Sequence, residues 1–236
     1  MKFRFWGPMR FAEALAGTLE INLLDSRGIG PLHWCIDKGE VEHFDRLLAA
    51  GADPNLATSH LLDAPLHYAM SSPNIHFARA LLDARADVDR KNKAGQTPLL
   101  EAIRANNLAA GQFLLERGAD TLISSRHKET PYGTALILAR MELVKLLEDR
   151  PKATTRTATE WLYYAAAEKN WQIIPYLIQR GAKIHAPGCD GRTALELAKL
   201  DPEGWGADDA EYTEYLEQKR RTMEALETAR PDQAPN

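Results

Sequence analysis

Residues 28–40, GIGPLHWCIDKGE, and residues 63–74, DAPLHYAMSSPN, share the tripeptide Pro-Leu-His. Pro31 and Pro65 lie 34 positions apart. Each copy is followed, at the same offset, by a Leu-Leu pair and then an Ala-Asp pair: Leu47-Leu48 and Ala52-Asp53, then Leu81-Leu82 and Ala86-Asp87. A tripeptide repeated by chance would not carry its surroundings with it. The chain therefore contains an internal repeat, and a repeat of fixed period decides the fold.

Further copies follow at nearly the same period. GQTPLLEA at 95–102 and KETPYGTA at 128–135 place Pro98 and Pro131 at successive steps of 33 residues. A weaker unit consists of WLYYAAAEKN at 161–170 and IIPYLIQRGAK at 173–183. The pattern restarts with DGRTALELA at 190–198.

Each unit has the residues that begin and end short helices. The prolines suit a first helical turn, where a missing N–H costs nothing, and Thr97, Thr130 and Thr193 are placed to cap exposed amides. First helices are predicted to end at Gly39, Pro73 and the Asn106-Asn107 pair, and second helices at Gly51, Gly118 and Gly181. Such a helix pair cannot bury its apolar face alone, so we expect the pairs to stack into one elongated solenoid.

The pattern resembles the ankyrin repeat. The likeness is carried by Pro31-Leu32-His33, Pro65-Leu66-His67, Thr97-Pro98-Leu99 and Thr130-Pro131, with Gly51-Ala52-Asp53, Gly118-Ala119-Asp120 and Gly181-Ala182. It implies an all-α fold, an ankyrin-repeat solenoid of helix-turn-helix units with capping helices. It also implies that the motif histidines, His33 and His67, form hydrogen bonds that tie adjacent repeats.

No unit has the whole Thr-Pro-Leu-His set. Gly30 and Ala64 replace the threonine in the first two units, and Leu100, Gly133 and Glu196 replace the histidine later. The unit that follows residue 152 lacks the Thr-Pro pair. We therefore expect less regular loops in the later repeats.

The resemblance divides the chain into three parts. Residues 1–24 are predicted to hold an N-terminal capping helix, because Met9, Ala12, Leu15 and Ala16 recur at helical spacing after Pro8. About five to six repeats cover 25–200, with units at about 25–57, 58–91, 92–124, 125–152 and 153–187 and the start of a last unit at 188–200. Residues 201–236 are predicted to form a loop over 201–206, an acidic capping helix from Asp208 and a frayed tail, RPDQAPN.

The composition excludes several classes of protein. The 236 residues are 44% hydrophobic and 26% charged, with a formal charge of −4, which gives no reason to expect nucleic acid or a membrane surface as a partner. Arg10 and Glu13 interrupt the apolar stretch that a secretory signal would need. Cys35 and Cys189 are interpreted as free thiols in a reducing compartment, rather than as a disulfide. We expect a cytoplasmic protein, monomeric on its own.

No catalytic signature was found, so no catalytic residue, cofactor or metal is predicted and the chain is not expected to be an enzyme. His60, Asp63 and His67 have a spacing that a metal site could use, but the motif role of His67 favours a loop contact. Cys35 is predicted to pack in the core, since no activating neighbour accompanies it. Trp34 and Tyr68, which follow the motif histidines, are interpreted mainly as packing residues, with exposed anchors as the alternative.

Ankyrin proteins usually bind partners on the concave surface, through loop tips and the solvent face of the first helices. Carried over one repeat at a time, these contact positions are Arg27, Ile29, Asp37 and Lys38; His60, Leu61, Asp63 and Ser72; Lys93, Gln96 and Arg104; and Arg126, His127 and Glu129. The cations and His127 in this set would form a basic strip facing an acidic partner, although charged loop tips are also ordinary in any soluble protein. Ile29 and Leu61 are the more informative members, because apolar residues at exposed tips need a reason.

The resemblance implies a non-enzymatic scaffold that binds one specific partner protein through its concave face. Its role would be that of an inhibitor, an adaptor or a bacterial toxin-neutralising immunity protein. The alternative is an enzyme or small-molecule-binding protein that uses a pocket near the divergent fifth repeat, with His185 or Cys189 and the aromatic residues around Trp161. A third hypothesis, nucleic-acid binding by the basic strip, is disfavoured by the net charge.

Overall fold

All regular elements in the described part of the chain are helices. The computed structural model describes residues 6–17, 19–150, 156–188, 191–200 and 210–228. The helices are α1 (Pro8–Leu15), α2 (Pro31–Lys38), α3 (Val41–Ala49), α4 (Pro65–Ser71), α5 (Ile75–Asp83), α6 (Pro98–Arg104), α7 (Leu108–Glu116), α8 (Pro131–Ile137), α9 (Met141–Glu148), α10 (Ala158–Ala167), α11 (Ile174–Gln179), α12 (Ala194–Ala198) and α13 (Ala210–Glu227), with a 3-10 turn at Trp171–Ile173. Within the described ranges, no helix is both long enough and apolar enough to cross a bilayer.

The chain divides into two compact units. The first covers Met1–Ala135 with Glu142–Ala153, and the second covers Leu136–Met141 with Thr154–Asn236. In the first unit, α2, α4 and α6 each pack against the helix that follows them, and also against one another in a row. The second helices α3, α5 and α7 form a parallel row. This is the stacking of helix pairs that the repeat predicts.

The core of the first unit is built from equivalent residues of successive repeats. In the second helices of the first three repeats, the leucine that begins the Leu-Leu pair (Leu47, Leu81 or Leu114) has no exposed surface. Phe44 and Phe77 meet edge to face with ring centroids 4.9 Å apart, which joins α3 to α5. Because each repeat buries its apolar face only against its neighbours, these contacts carry the cohesion of the unit.

The predicted threonine caps are confirmed. The Oγ1 atoms of Thr97, Thr130 and Thr193 accept hydrogen bonds from backbone amides three residues later, at 3.4, 3.2 and 3.3 Å. Each bond satisfies an amide that the first helical turn leaves without a partner.

The first helix of the weak fifth unit begins earlier than the stretch WLYYAAAEKN at 161–170 that the sequence pattern gives for it. Its first helix, α10, starts at Ala158 and is capped by Thr157, whose Oγ1 accepts from the Glu160 amide at 3.2 Å. The Glu160 carboxylate accepts in return from the Thr157 amide at 2.6 Å, which completes a capping box. In this unit the Thr157–Glu160 capping box therefore begins the first helix, where the earlier repeats have a Pro at the first helical position.

Backbone hydrogen bonds connect the loop tips of the first four repeats. The amides of Ser59, Lys93 and Arg126 donate to the carbonyls of Gly28, Leu61 and Ala94, at 3.0, 2.7 and 2.9 Å. Each bond joins one loop to the loop of the preceding repeat. The tips consequently form a connected edge rather than a set of independent loops.

Both ends of the chain carry helices that cover a repeat. Helix α1 packs against α3, and Phe11 lies between Trp6 and Trp34, with ring centroids 5.6 and 5.1 Å away. Trp34 is thus a packing residue, as interpreted. In the second unit, α13 packs against α11, α12 and the 3-10 turn. The predicted loop at 201–206 and the tail RPDQAPN lie outside the described residues.

Candidate functional site

A cleft of about 760 Å³ opens on the first unit, along the row of first helices. Its walls are the end of α2 with Gly39, one face of α4 with the connection that follows it, and the loop residues Leu61, Asp63, Asn92, Ala94 and Gln96. Glu101 on α6 also lines it. The cleft lies on the surface where the repeat pattern placed the contact positions.

The motif histidines hold the loops that form the cleft walls. The Nε2–H of His33 donates to the Asp63 carbonyl at 2.9 Å, and that of His67 donates to the Gln96 carbonyl at 3.1 Å. His67 Nδ1 accepts from the Ala64 amide at 3.1 Å. Each ring therefore joins the first helix of one repeat to the loop of the next, which confirms the predicted tie.

Burial of the two imidazole rings lowers their pKa values and so favours the neutral form. It lowers the pKa of His33 from 6.5 to about 4, against the opposing effect of the Asp63 carbonyl and carboxylate. Burial likewise lowers the pKa of His67. A proton added to His67 would also displace the bond from the Ala64 amide, since Nδ1 can accept only when it is unprotonated.

A polar network spans the rim of the cleft between the third and fourth repeats. The Gln96 amide, oriented to suit its neighbours, donates to Glu101 at 2.9 Å and accepts from Arg104 at 3.2 Å. Arg104 also forms an ion pair with Glu129. Burial raises the pKa of Glu101, and the Arg104 charge opposes this rise. Arg104 is therefore paired with other side chains of this chain at the rim, and it does not line the cleft.

The structure brings six of the fourteen predicted contact residues together in the cleft. They are Asp37, Lys38, Leu61, Asp63, Ser72 and Gln96. The other eight do not line it: Arg27, Ile29, His60, Lys93, Arg104, Arg126, His127 and Glu129. Leu61 is 61% exposed, as an apolar contact residue should be, whereas Ile29 is half-buried.

The predicted basic strip is partly neutralised. Arg27 pairs with the buried Asp25 at 3.1 Å, and Lys38 pairs with Asp37 at 2.8 Å. The charged residues that line the cleft itself are three carboxylates, those of Asp37, Asp63 and Glu101, against one lysine, Lys38. The electrostatic character of the cleft is thus acidic, which the list of loop-tip cations did not indicate.

Tyr68, Ser71 and Glu101 are among the cleft-lining residues that the sequence does not predict as contacts. Tyr68 packs its ring edge to face with His33 at 5.0 Å and also lines the cleft, so it combines the two interpretations that the sequence left open. Ser71, at the exposed end of α4, and Glu101 lie on the first-helix face that points into the cleft. The helical register of α4 and α6 could have identified both.

The residues considered for chemistry have other surroundings. Cys35 is fully buried, and burial raises the pKa of its thiol to about 12, so the reactive thiolate is absent near neutral pH. His185 is exposed, and Cys189 lies outside the described residues. Across the described ranges, no three His, Cys, Asp or Glu side chains are grouped so that they could hold a metal ion.

The repeats of the first unit match a known family of proteins. Residues 32–125 match the family model for ankyrin repeats, in three copies. The chain is 32% identical over 125 residues to human transient receptor potential cation channel subfamily A member 1, which covers 52% of this chain and 11% of that protein. It is 34% identical over 126 residues to the Caenorhabditis elegans ankyrin repeat and KH domain-containing protein mask-1, covering 53% of this chain and 5% of the relative. The chain therefore spans only a small part of the length of these relatives.

A solved structure extends the likeness to nearly the whole chain. The crystal structure of the ankyrin repeat domain of Bcl-3 superposes with a TM-score of 0.66, covering 93% of this chain and 91% of that chain. The two sequences are 22% identical, so this likeness concerns the fold.

Proposed function

The chain is an ankyrin repeat protein, and from this premise we propose that it acts without catalysis, by binding one specific partner protein through the cleft of its first unit. Ankyrin repeats generally mediate interactions between proteins. The role would be that of an inhibitor, an adaptor or a bacterial toxin-neutralising immunity protein. The proposal includes a protein that is monomeric on its own and lies in the cytoplasm. The buried free thiol of Cys35 supports the reducing compartment.

The observation that carries the proposal is the construction of the cleft. Its loop walls are joined to one another by backbone bonds and to the first helices by His33 and His67. A surface already fixed in this way loses little conformational freedom when a partner binds, which favours affinity. The remaining contact positions, such as Lys93 and Arg126, lie on the same connected edge and would extend the interface beyond the cleft.

The second helices offer a less suitable surface. Their exposed polar side chains form contacts between neighbouring repeats, an ion pair between Arg117 and Asp83 at 2.9 Å and a hydrogen bond between His76 and Asp45 at 2.7 Å. A partner docking there would have to desolvate or break these contacts. The first-helix side is therefore the preferred docking face.

Replacing Ser71 by arginine tests the proposal. Ser71 is the exposed last residue of α4 and lines the cleft, so a long cationic side chain there should obstruct the partner without disturbing the core. We expect Ser71→Arg to weaken binding of the natural partner, recovered by co-purification from native cells, by at least about tenfold in isothermal calorimetry.

The matched control is Ala49→Arg, because Ala49 is the exposed last residue of the second helix α3. This variant should bind the partner within about twofold of the parent chain. A partner that binds Ser71→Arg as well as it binds Ala49→Arg would show that the cleft is not the contact surface.

A further inference from the structure

The loop tip at 61–63, of which Leu61 and Asp63 line the cleft, has a leucine where the other repeats have glycine or lysine in the same left-handed backbone conformation. The equivalent positions are Gly28, Leu62, Gly95, Lys128 and Gly191, and all have a positive φ, of 73°, 57°, 75°, 60° and 81°. Glycine adopts this left-handed conformation without penalty, but a leucine with its Cβ does not. Leu62 therefore costs stability at a position where glycine would serve the loop better.

Burial of the side chain does not offset this cost in stability for Leu62. It is 46% exposed, and the preceding Leu61 is 61% exposed. Their backbone is held in place, since the Leu61 carbonyl accepts from the Lys93 amide at 2.7 Å. Two adjacent leucines are thus presented to solvent on a fixed tip, where Leu61 lines the cleft and Leu62 is its neighbour in the chain. Backbone strain of this kind concentrates at functional positions.

The cleft beside this tip carries an excess of negative charge. Lys38 is already paired with Asp37, which leaves the carboxylates of Asp63 and Glu101. Both are held in place by side-chain amides: Asn92 donates to Asp63 at 2.8 Å, and Gln96 donates to Glu101 at 2.9 Å. Amides fix the carboxylates without neutralising them, and Arg104, whose charge acts on Glu101, is itself paired with Glu129. A cation from a partner would therefore find two oriented acceptors.

From these observations we propose that the Leu61-Leu62 tip and the carboxylates of Asp63 and Glu101 together recognise a partner segment in which a large apolar side chain lies next to a lysine or arginine. The inference rests on the proposed function and adds the chemistry of the partner. The leucines would cover the apolar side chain, and the carboxylates would bind the neighbouring cation. Leu62 would be retained for binding, at a cost to the fold.

A random dodecapeptide library displayed on phage is the probe, panned against the full chain. We expect the enriched peptides to contain lysine or arginine adjacent to leucine, phenylalanine or another large apolar residue. Synthetic copies of these peptides should bind Leu62→Gly at least about tenfold more weakly than the parent chain. The melting temperature of the same variant should be no lower than that of the parent, and up to about 4 °C higher, because the strain is relieved.

Opposite effects on binding and stability separate a recognition residue from a structural one. Leu122→Ser is the matched control, since Leu122 is 48% exposed but, unlike Leu62, has no chain neighbour that lines the cleft. It should leave peptide affinity within about twofold of the parent. Enriched peptides that lack basic residues, a library from which nothing is enriched, or unchanged peptide affinity in Leu62→Gly would each overturn the inference.

These results can be told apart from a failure of the proposed function. If Ser71→Arg loses the natural partner but the peptides carry no basic residue, the cleft is still the binding site and only the partner chemistry is wrong. If Ser71→Arg retains the natural partner, the cleft is not the site and both proposals fail.

Discussion

Replacing Phe77 by alanine is expected to lower the free energy of unfolding by about 3–5 kcal/mol. Phe77 has no exposed surface, and its ring meets that of Phe44 in the preceding repeat at 4.9 Å. The change would remove apolar contacts, leave a cavity between α3 and α5, and abolish an edge-to-face pair that contributes about 0.5–1.5 kcal/mol beyond its burial. Urea denaturation followed by circular dichroism measures the loss.

The conservative variant Phe77→Leu serves as the control. It keeps most of the apolar volume and should cost less than half as much as alanine. Stacked repeats are stabilised largely by contacts between neighbours, so a residue that bridges two repeats should matter more than its size alone suggests. A loss below about 1 kcal/mol for Phe77→Ala would mean that the repeats do not depend on this contact.

Acidification is expected to destabilise the protein by about 3 kcal/mol through His33 alone. Burial lowers the pKa of this ring from 6.5 to about 4 in the folded chain. Between these two values the unfolded chain binds a proton at His33 that the folded chain does not bind. The free energy of unfolding therefore falls as the pH falls through this window, and the contribution is fully present above pH 6.5.

The variant His33→Gln isolates this effect. Glutamine can still donate to the Asp63 carbonyl but does not titrate, so its stability should depend less steeply on pH between about 6.5 and 4. Carboxylates titrate in both proteins and cancel in the comparison. Urea denaturation at a series of pH values provides the two slopes, and equal slopes would show that His33 has the same pKa in the folded and the unfolded chain.

The repeat architecture could be predicted because each unit contains its own start and stop signals. Proline at a first turn, threonine before it and glycine after the second helix act locally, so their effects do not depend on the rest of the fold. The Thr-Pro signal does not reveal Thr157, because no proline follows it and the fifth unit resembles the other repeats mainly in its apolar residues. Thr157 and Glu160 have the spacing of a capping box, a signal that could have found the start of α10.

The sequence could predict where part of the candidate site lies, but not the sign of its charge. The repeat pattern predicted as contacts Leu61, at a loop tip, and Ser72, at the end of α4, because equivalent positions recur in every unit. It could not show that Arg27 is paired with a buried aspartate or that Arg104 belongs to an internal network, since these contacts depend on side-chain geometry. Leu62 could have been recognised by aligning the loops, where it replaces the glycine of the first and third repeats.

The central claim is that a partner protein binds the first-helix side of the first unit. Hydrogen–deuterium exchange of the chain, with and without the partner recovered from native cells, tests this claim most directly. We expect slower exchange in α4 and in the loops at 59–63 and 92–96 when the partner is bound. Slower exchange confined to the second helices α3, α5 and α7, with the cleft unchanged, would contradict the claim.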